Sequence, residues 1–135
     1  MPGLNLSPIR QGRLPRIVEG AAIGAGILVL LATVYASWSP PGLRPVTNFS
    51  VGWEHIAAFG LIGASWGFAF PRRALQVVLV IVVIALILEA GQMVVPGRHA
   101  RLIDVATKIA GGGAGVILGH LVRRMLLWVA TQASR

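Results

Sequence analysis

The chain has 135 residues, enough for one domain, and 56% of them are hydrophobic while only 12% are charged. A soluble domain of this length cannot bury so much apolar surface, so the composition excludes a soluble fold and indicates a lipid bilayer. The absence of cysteine excludes disulfides and thiolate metal sites, and basic residues flanking membrane spans account for the net charge of +8 without a nucleic-acid partner.

Four segments are long and apolar enough to cross the hydrocarbon core, which takes about 20 residues of helix. They cover residues 17–38, 51–70, 74–95 and 102–129, and the connectors SPPGLRP, PRR and PGR carry turn residues. The apolar run of the first segment is too long for a typical signal peptide, so we expect a retained anchor. The sequence therefore predicts an all-α integral membrane four-helix bundle, formed by a single domain over residues 1–135.

The predicted helices divide the basic residues unevenly between their two ends. Eight lie at one end, three lie at the other, and Lys108 falls inside the fourth segment. The eight are Arg10, Arg13, Arg16, Arg72, Arg73, Arg123, Arg124 and Arg135, and the three are Arg44, Arg98 and Arg101. The positive-inside rule then places both termini in the cytoplasm and the PGR connector on the outer side.

Glycines recur four residues apart along three of the predicted helices, a spacing that is typical of close helix packing in membranes. The pairs and the triplet are Gly20 and Gly24, Gly63 and Gly67, and Gly111, Gly115 and Gly119. A phosphate-binding loop at AGGGAG is excluded, because the motif lies inside a span with no strand before it.

Three of the four acidic residues are predicted at one membrane depth on three different helices: Glu54, Glu89 and Asp104. Glu89 lies about 9 Å below the predicted helix end at residue 95. A charge at that depth usually faces the bundle interior with a partner. Two partners are open: Lys108, one turn from Asp104, or Arg98 folding back from the Pro96-Gly97 turn.

Other polar residues share this depth. His55 is expected to face inward, because Phe59 and Ile62 continue its face at i+4 and i+7. Gln92 lies one turn outward from Glu89 on the same face. We expect His99 to be solvated, and His120, near the opposite end of the fourth helix, to be structural.

These residue types can act as an acid, a base and an anion clamp. The candidate catalytic residues are His55 and Glu89, and the candidate substrate-binding residues are Gln92, Arg98, Arg101, Asp104 and Lys108. A site between helix ends suits a molecule with an apolar tail and an anionic head, such as a lipid-linked envelope precursor. No metal or other cofactor is predicted, since the possible ligands lack tight metal-binding spacing.

The ordered segments WEHIAAFGLIG, PRR and LEAGQMVVPGRHARLIDVATKIAGGGAG, over about residues 52–119, resemble the VanZ-like membrane proteins. The family's polar positions fall on His55, Glu89, Gln92, Arg98 and Asp104. The chain departs from the family pattern at Val51 and Gly52, where Asp-Lys is frequent, and at Lys108, where Asn is usual. The resemblance implies a four-span bacterial inner-membrane protein, and its founding member is associated with teicoplanin-type glycopeptide resistance.

Two hypotheses of function follow. In the first, an outward-facing polar pocket binds or modifies an anionic envelope lipid or glycopeptide target. In the second, the protein is a non-catalytic accessory subunit of a larger membrane protein complex, and its polar cluster is an ion-pair lock between helices. Membrane lipid is a partner in both.

The topology predicts that reporters fused after Arg73 and after His99 lie on opposite sides of the membrane. A paired set of alkaline phosphatase and fluorescent protein fusions, with expression checked by immunoblot, measures this. The same side for both fusions would overturn the predicted topology.

Overall fold

A computed structural model describes residues 13–43, 48–97 and 99–133 of the chain. Across these ranges the secondary structure is helical, with four α-helices and no strand. The helices are α1 (Arg16–Trp38), α2 (Val51–Ala69), α3 (Ala74–Gln92) and α4 (Leu102–Ala133), and a 3₁₀ turn covers Pro41–Leu43. The predicted all-α, four-helix fold is confirmed. The predictions made for Arg98 concern a residue outside the described ranges.

The end of the third helix differs from the prediction. It ends at Gln92 rather than at residue 95. Beyond it the chain forms turns, in which the Met93 N–H donates to the Ala90 carbonyl and the Val95 N–H donates to the Gln92 carbonyl. Pro96 explains the early end, because the residue before a proline is disfavoured in the helical region. Glu89 therefore lies about 4.5 Å, rather than about 9 Å, from the end of its helix.

Three helices, α1, α3 and α4, are long and apolar enough to cross a membrane. The helix α2, which was predicted to be a span, is not among them. Its average hydropathy is lowered by Glu54, His55 and four glycines. This helix contacts the other three, and its contact with α4 is the most extensive in the molecule.

Glycine brings the backbones of α2 and α4 into direct contact. A Cβ atom at Gly63 would overlap the backbone of Gly112, and one at Gly115 would overlap the backbone of Gly60. The same holds for Gly67, Gly111 and Gly119 against Val116, Ile56 and Ala64. The predicted close packing is confirmed for the glycines of these two helices, because any side chain there would separate them.

The glycines of α1 differ from the prediction. Within the described ranges, no atom lies within 4 Å of a Cβ added at Gly20 or Gly24, whereas Gly26 lies against the Trp66 ring. The Trp66 indole also donates a hydrogen bond to the Ile23 carbonyl, at 3.4 Å. A large ring on α2 therefore packs into a notch on α1, a contact that the four-residue spacing did not indicate.

The buried apolar core lies between α2, α3 and α4. Its buried members are Phe59, Val77, Ile81, Ala85, Leu88 and Val116. The predicted inward face of α2 is confirmed, since His55, Phe59 and Ile62 are all buried. Large apolar side chains cover much of the outer surface, as expected for helices that face lipid.

We predict opposite effects for the same substitution at two neighbouring glycines of α4. Gly115→Ala destabilises by about 1–3 kcal/mol, because the methyl group forces α2 and α4 apart. Gly113→Ala is neutral or stabilising, because Gly113 has open space around it and alanine favours helix. Thermal unfolding in detergent micelles measures both; equal shifts would contradict the tight α2–α4 contact.

Candidate functional site

The start of α2, the end of α3 and the start of α4 meet at one end of the bundle, here called the polar end. Glu89 lies at its centre. One carboxylate oxygen of Glu89 accepts a hydrogen bond from the Lys108 ammonium at 2.5 Å. The other accepts one from the backbone N–H of Arg101, also at 2.5 Å. Of the two partners that the sequence left open, the structure shows Lys108.

This ion pair is inaccessible to solvent. Lys108 is 0% exposed and Glu89 is 5% exposed. Charge-assisted hydrogen bonds of this kind are strong where water is excluded, and each charge alone would be costly to bury. The Arg101 amide directly precedes α4, so the carboxylate also satisfies a free donor at a helix N-terminus. Glu89 thereby joins α3 to the beginning of α4.

His55 and Asp104 face each other across the start of α2 and α4. The His55 Nδ1 atom lies 4.0 Å from the Asp104 Oδ1 atom, and this contact is an ion pair when the imidazole is protonated. His55 is 8% exposed, while Asp104 is partly buried. A carboxylate at this position favours an imidazole oriented with Nδ1 toward it.

A cavity of about 220 Å³, here called the polar cavity, opens beside this pair. It is lined by Val51, His55, Gln92, Gly97, His99, Arg101 and Asp104. Gln92 is 4% exposed, so its amide is presented to the cavity from within the bundle. Gly97 has a φ of 77°, which fits the third position of a type II turn after Pro96.

The structure thus brings together four of the predicted site residues, His55, Gln92, Arg101 and Asp104, around one cavity. Glu89 and Lys108 lie behind the cavity wall and do not line it. His99 is exposed, as expected for a solvated residue, but it also lines the cavity, which the sequence did not predict. Its only sequence signal is its place in the connector that carries Gly97.

The polar cavity can bind an anion and move a proton. Arg101 supplies a guanidinium for phosphate or carboxylate, and Gln92 supplies an amide with two donors and an acceptor. The His55 imidazole can accept or donate a proton beside Asp104. Across the described ranges, no three histidine, aspartate or glutamate side chains group closely enough to hold a metal ion.

The opposite end of the bundle, here called the arginine end, contains another ion pair, which is partly buried. Arg123 lies roughly 30 Å along α4 from Leu102. Its guanidinium bonds to Glu19 of α1 at 2.8 Å and to the Phe68 carbonyl of α2 at 3.0 Å. One turn earlier, both ring nitrogens of His120 lie within 3.0 Å of carbonyl oxygens. Arg123 is therefore a helix-joining residue, a role that the charge count did not reveal.

Four closely packed helices, of which three can cross a membrane, and a polar site at their ends define a helical membrane protein. The family model for VanZ/LLP1 matches residues 21–123, well over half of the chain. The chain belongs to the VanZ/LLP1 family. No curated protein matches it significantly, and no solved structure does.

We predict that the two charges of the buried pair depend on each other. Lys108→Met or Glu89→Gln alone destabilises by about 3–5 kcal/mol, because one charge remains buried without its counter-ion. The double variant Glu89→Gln/Lys108→Met recovers most of that loss, since no buried charge remains. Thermal unfolding of the four proteins in detergent gives a double-mutant cycle; additive losses would contradict the coupling.

Proposed function

We propose that this VanZ-family protein binds the anionic head group of an envelope lipid in the polar cavity, at the outer face of the bacterial cytoplasmic membrane. The observation that carries the proposal is the pair of buried polar side chains, His55 and Gln92, on one cavity with Arg101 and Asp104. Around one cavity these four side chains combine an imidazole, an amide, a guanidinium and a carboxylate. Such a set of donors and acceptors suits a polar head group that carries a negative charge.

The cavity favours a phosphate with hydroxyl or amide groups beside it. Arg101 pairs with the phosphate in two parallel hydrogen bonds, the Gln92 amide donates to a phosphate oxygen, and Asp104 accepts from a neighbouring hydroxyl. The volume of about 220 Å³ is below the roughly 300–1,000 Å³ of typical ligand pockets. It therefore fits the part of a lipid-linked envelope precursor nearest its tail, with the tail in the membrane.

In this proposal Glu89 is a positioning residue. Both of its carboxylate oxygens are used, by Lys108 and by the Arg101 amide. It fixes the start of α4 and thereby the positions from which Arg101 and Asp104 reach the cavity. The His55–Asp104 pair remains the candidate for proton transfer if the bound lipid is also modified.

The outward orientation belongs to the same proposal. Arg13, Arg16, Arg72, Arg73 and Arg123 lie around one cleft at the arginine end. The positive-inside rule then turns that end to the cytoplasm and the polar end outward, with both termini inside.

An accessory subunit is the second candidate, and the full use of the Glu89 oxygens inside the bundle favours it. Gly20 and Gly24 also form a small-residue face on α1 that no described residue covers within 4 Å of an added Cβ. This function predicts stable co-purification with a larger membrane protein in mild detergent. Recovery as a free monomer would count against it.

The head-group proposal predicts that Gln92→Leu weakens binding of a short-chain polyprenyl phosphate about tenfold, the loss of one hydrogen bond to a charged group. Arg101→Gln weakens it by more than tenfold, because two such bonds are lost. The purified protein in neutral detergent is titrated with the lipid, and the dissociation constant is measured by thermophoresis. The corresponding polyprenol, which lacks the phosphate, binds the wild-type protein more weakly.

Arg124→Gln is the matched control, because it removes an exposed guanidinium at the opposite end. Unfolding temperatures of all variants are measured without lipid, so that loss of binding is separated from loss of folding. Equal affinity for the polyprenol, or unchanged binding by Arg101→Gln and Gln92→Leu, would overturn the proposal.

A further inference from the structure

The arginine end has a cleft of about 490 Å³ that the head-group proposal does not use. This space is here called the arginine cleft. Its charged lining residues are five arginines and one glutamate: Arg13, Arg16, Glu19, Arg72, Arg73 and Arg123. Glu19 is bound to Arg123. The chain's other three acidic residues are Glu54 at the start of α2, Glu89 near the end of α3 and Asp104 at the start of α4, all at the polar end.

The four remaining arginines therefore concentrate positive charge in one place. Arg13 and Arg16 come from the start of α1, while Arg72 and Arg73 come from the turn between α2 and α3. All four are exposed. Guanidinium groups that converge from two segments are suited to bind a phosphate group.

An apolar groove of about 320 Å³ continues from this cleft along the helices. Ile23, Phe70 and Arg73 line both spaces. Farther along, the groove is lined by Ile27 of α1, Trp66 of α2 and Val77 and Val80 of α3. It extends from Arg73 to Val80, which is roughly 10 Å of helix.

Gln76 also lines this groove and is the only polar side chain between Ala74 and Leu88. It lies one helical turn from Arg73, farther from the arginine cleft and closer to the apolar part of the groove. Its amide can donate to an ester carbonyl of a lipid whose phosphate lies in the cleft. The order of charge, amide and hydrocarbon matches the order of groups in a glycerophospholipid.

We propose that the arginine cleft and the apolar groove together bind one anionic phospholipid from the leaflet at the arginine end. Its phosphate lies among the guanidinium groups of Arg13, Arg16, Arg72 and Arg73. One acyl chain lies in the groove between α1 and α3, over Trp66. This site shares no lining residue with the polar cavity, so the two proposals can be tested independently.

Native mass spectrometry of the purified protein tests the site, with phosphatidylglycerol and phosphatidylcholine added at equal concentration. The wild-type protein retains phosphatidylglycerol in preference to phosphatidylcholine. Arg73→Gln lowers that retention about fivefold, the effect of one basic residue at an anionic lipid surface. Arg124→Gln, which removes a charge that is also exposed but lies outside the cleft, leaves retention unchanged.

A second matched pair tests the groove. Val80→Trp fills the groove and lowers retention, while Val83→Trp does not, although the two side chains are similarly exposed, at 47% and 53%. If Val80→Trp lowers the unfolding temperature without lipid, Ile27→Trp on the opposite wall replaces it.

Three results would overturn the site. Equal losses for Arg73→Gln and Arg124→Gln would show general attraction to a basic surface. Unchanged retention with Val80→Trp and Ile27→Trp would show that the groove holds no acyl chain. Displacement of the lipid by millimolar inorganic phosphate alone would show that the cleft binds free phosphate rather than a docked lipid.

Discussion

The direct backbone contact between α2 and α4 is the constraint on which both ends of the molecule depend. Because glycines replace side chains along this contact, Gly115 approaches Gly60 and Gly63 approaches Gly112. At one end of the pair this proximity places His55 opposite Asp104. At the other end it lets Arg123 reach the Phe68 carbonyl. A wider helix spacing would separate both sets of polar groups at once.

Much of the fold follows from local sequence properties, and the remainder follows from long-range contacts. Apolar length predicted four helices, and the period of α2 predicted its buried face through His55. The length of the apolar run predicted too late an end for α3. That helix ends because of the backbone restriction before Pro96, and not because the side chains become polar. Arg123 resembled an ordinary flanking charge, since its partner Glu19 is 104 positions away. The sequence did not indicate a role for Gly26, because its importance depends on the Trp66 ring, which packs against it from another helix.

The sequence indicated some of the residues around the polar cavity but not their arrangement. Charge depth and the family pattern indicated His55, Gln92 and Asp104, the residue type indicated Arg101, and these four share a cavity. Neither could separate the residues that line the cavity from those behind its wall, because this depends on the rotation of α3 and α4. Lys108 illustrates the difference. The resemblance to the family implied a neutral amide there, and in this chain an ammonium occupies the position and pairs with Glu89.

The Glu89–Lys108 pair also bears on how the protein enters the membrane. A single charge costs about 2.5–3.5 kcal/mol to insert at the centre of a helix and less toward its ends, and α3 and α4 each carry one of the two charges. The charges lie nineteen positions apart, on helices joined by a short connector. Insertion of α3 and α4 together, as a hairpin with the charges already paired, avoids exposing either charge to lipid. The buried pair therefore favours concerted over stepwise integration during synthesis, with the cavity wall formed in the same event.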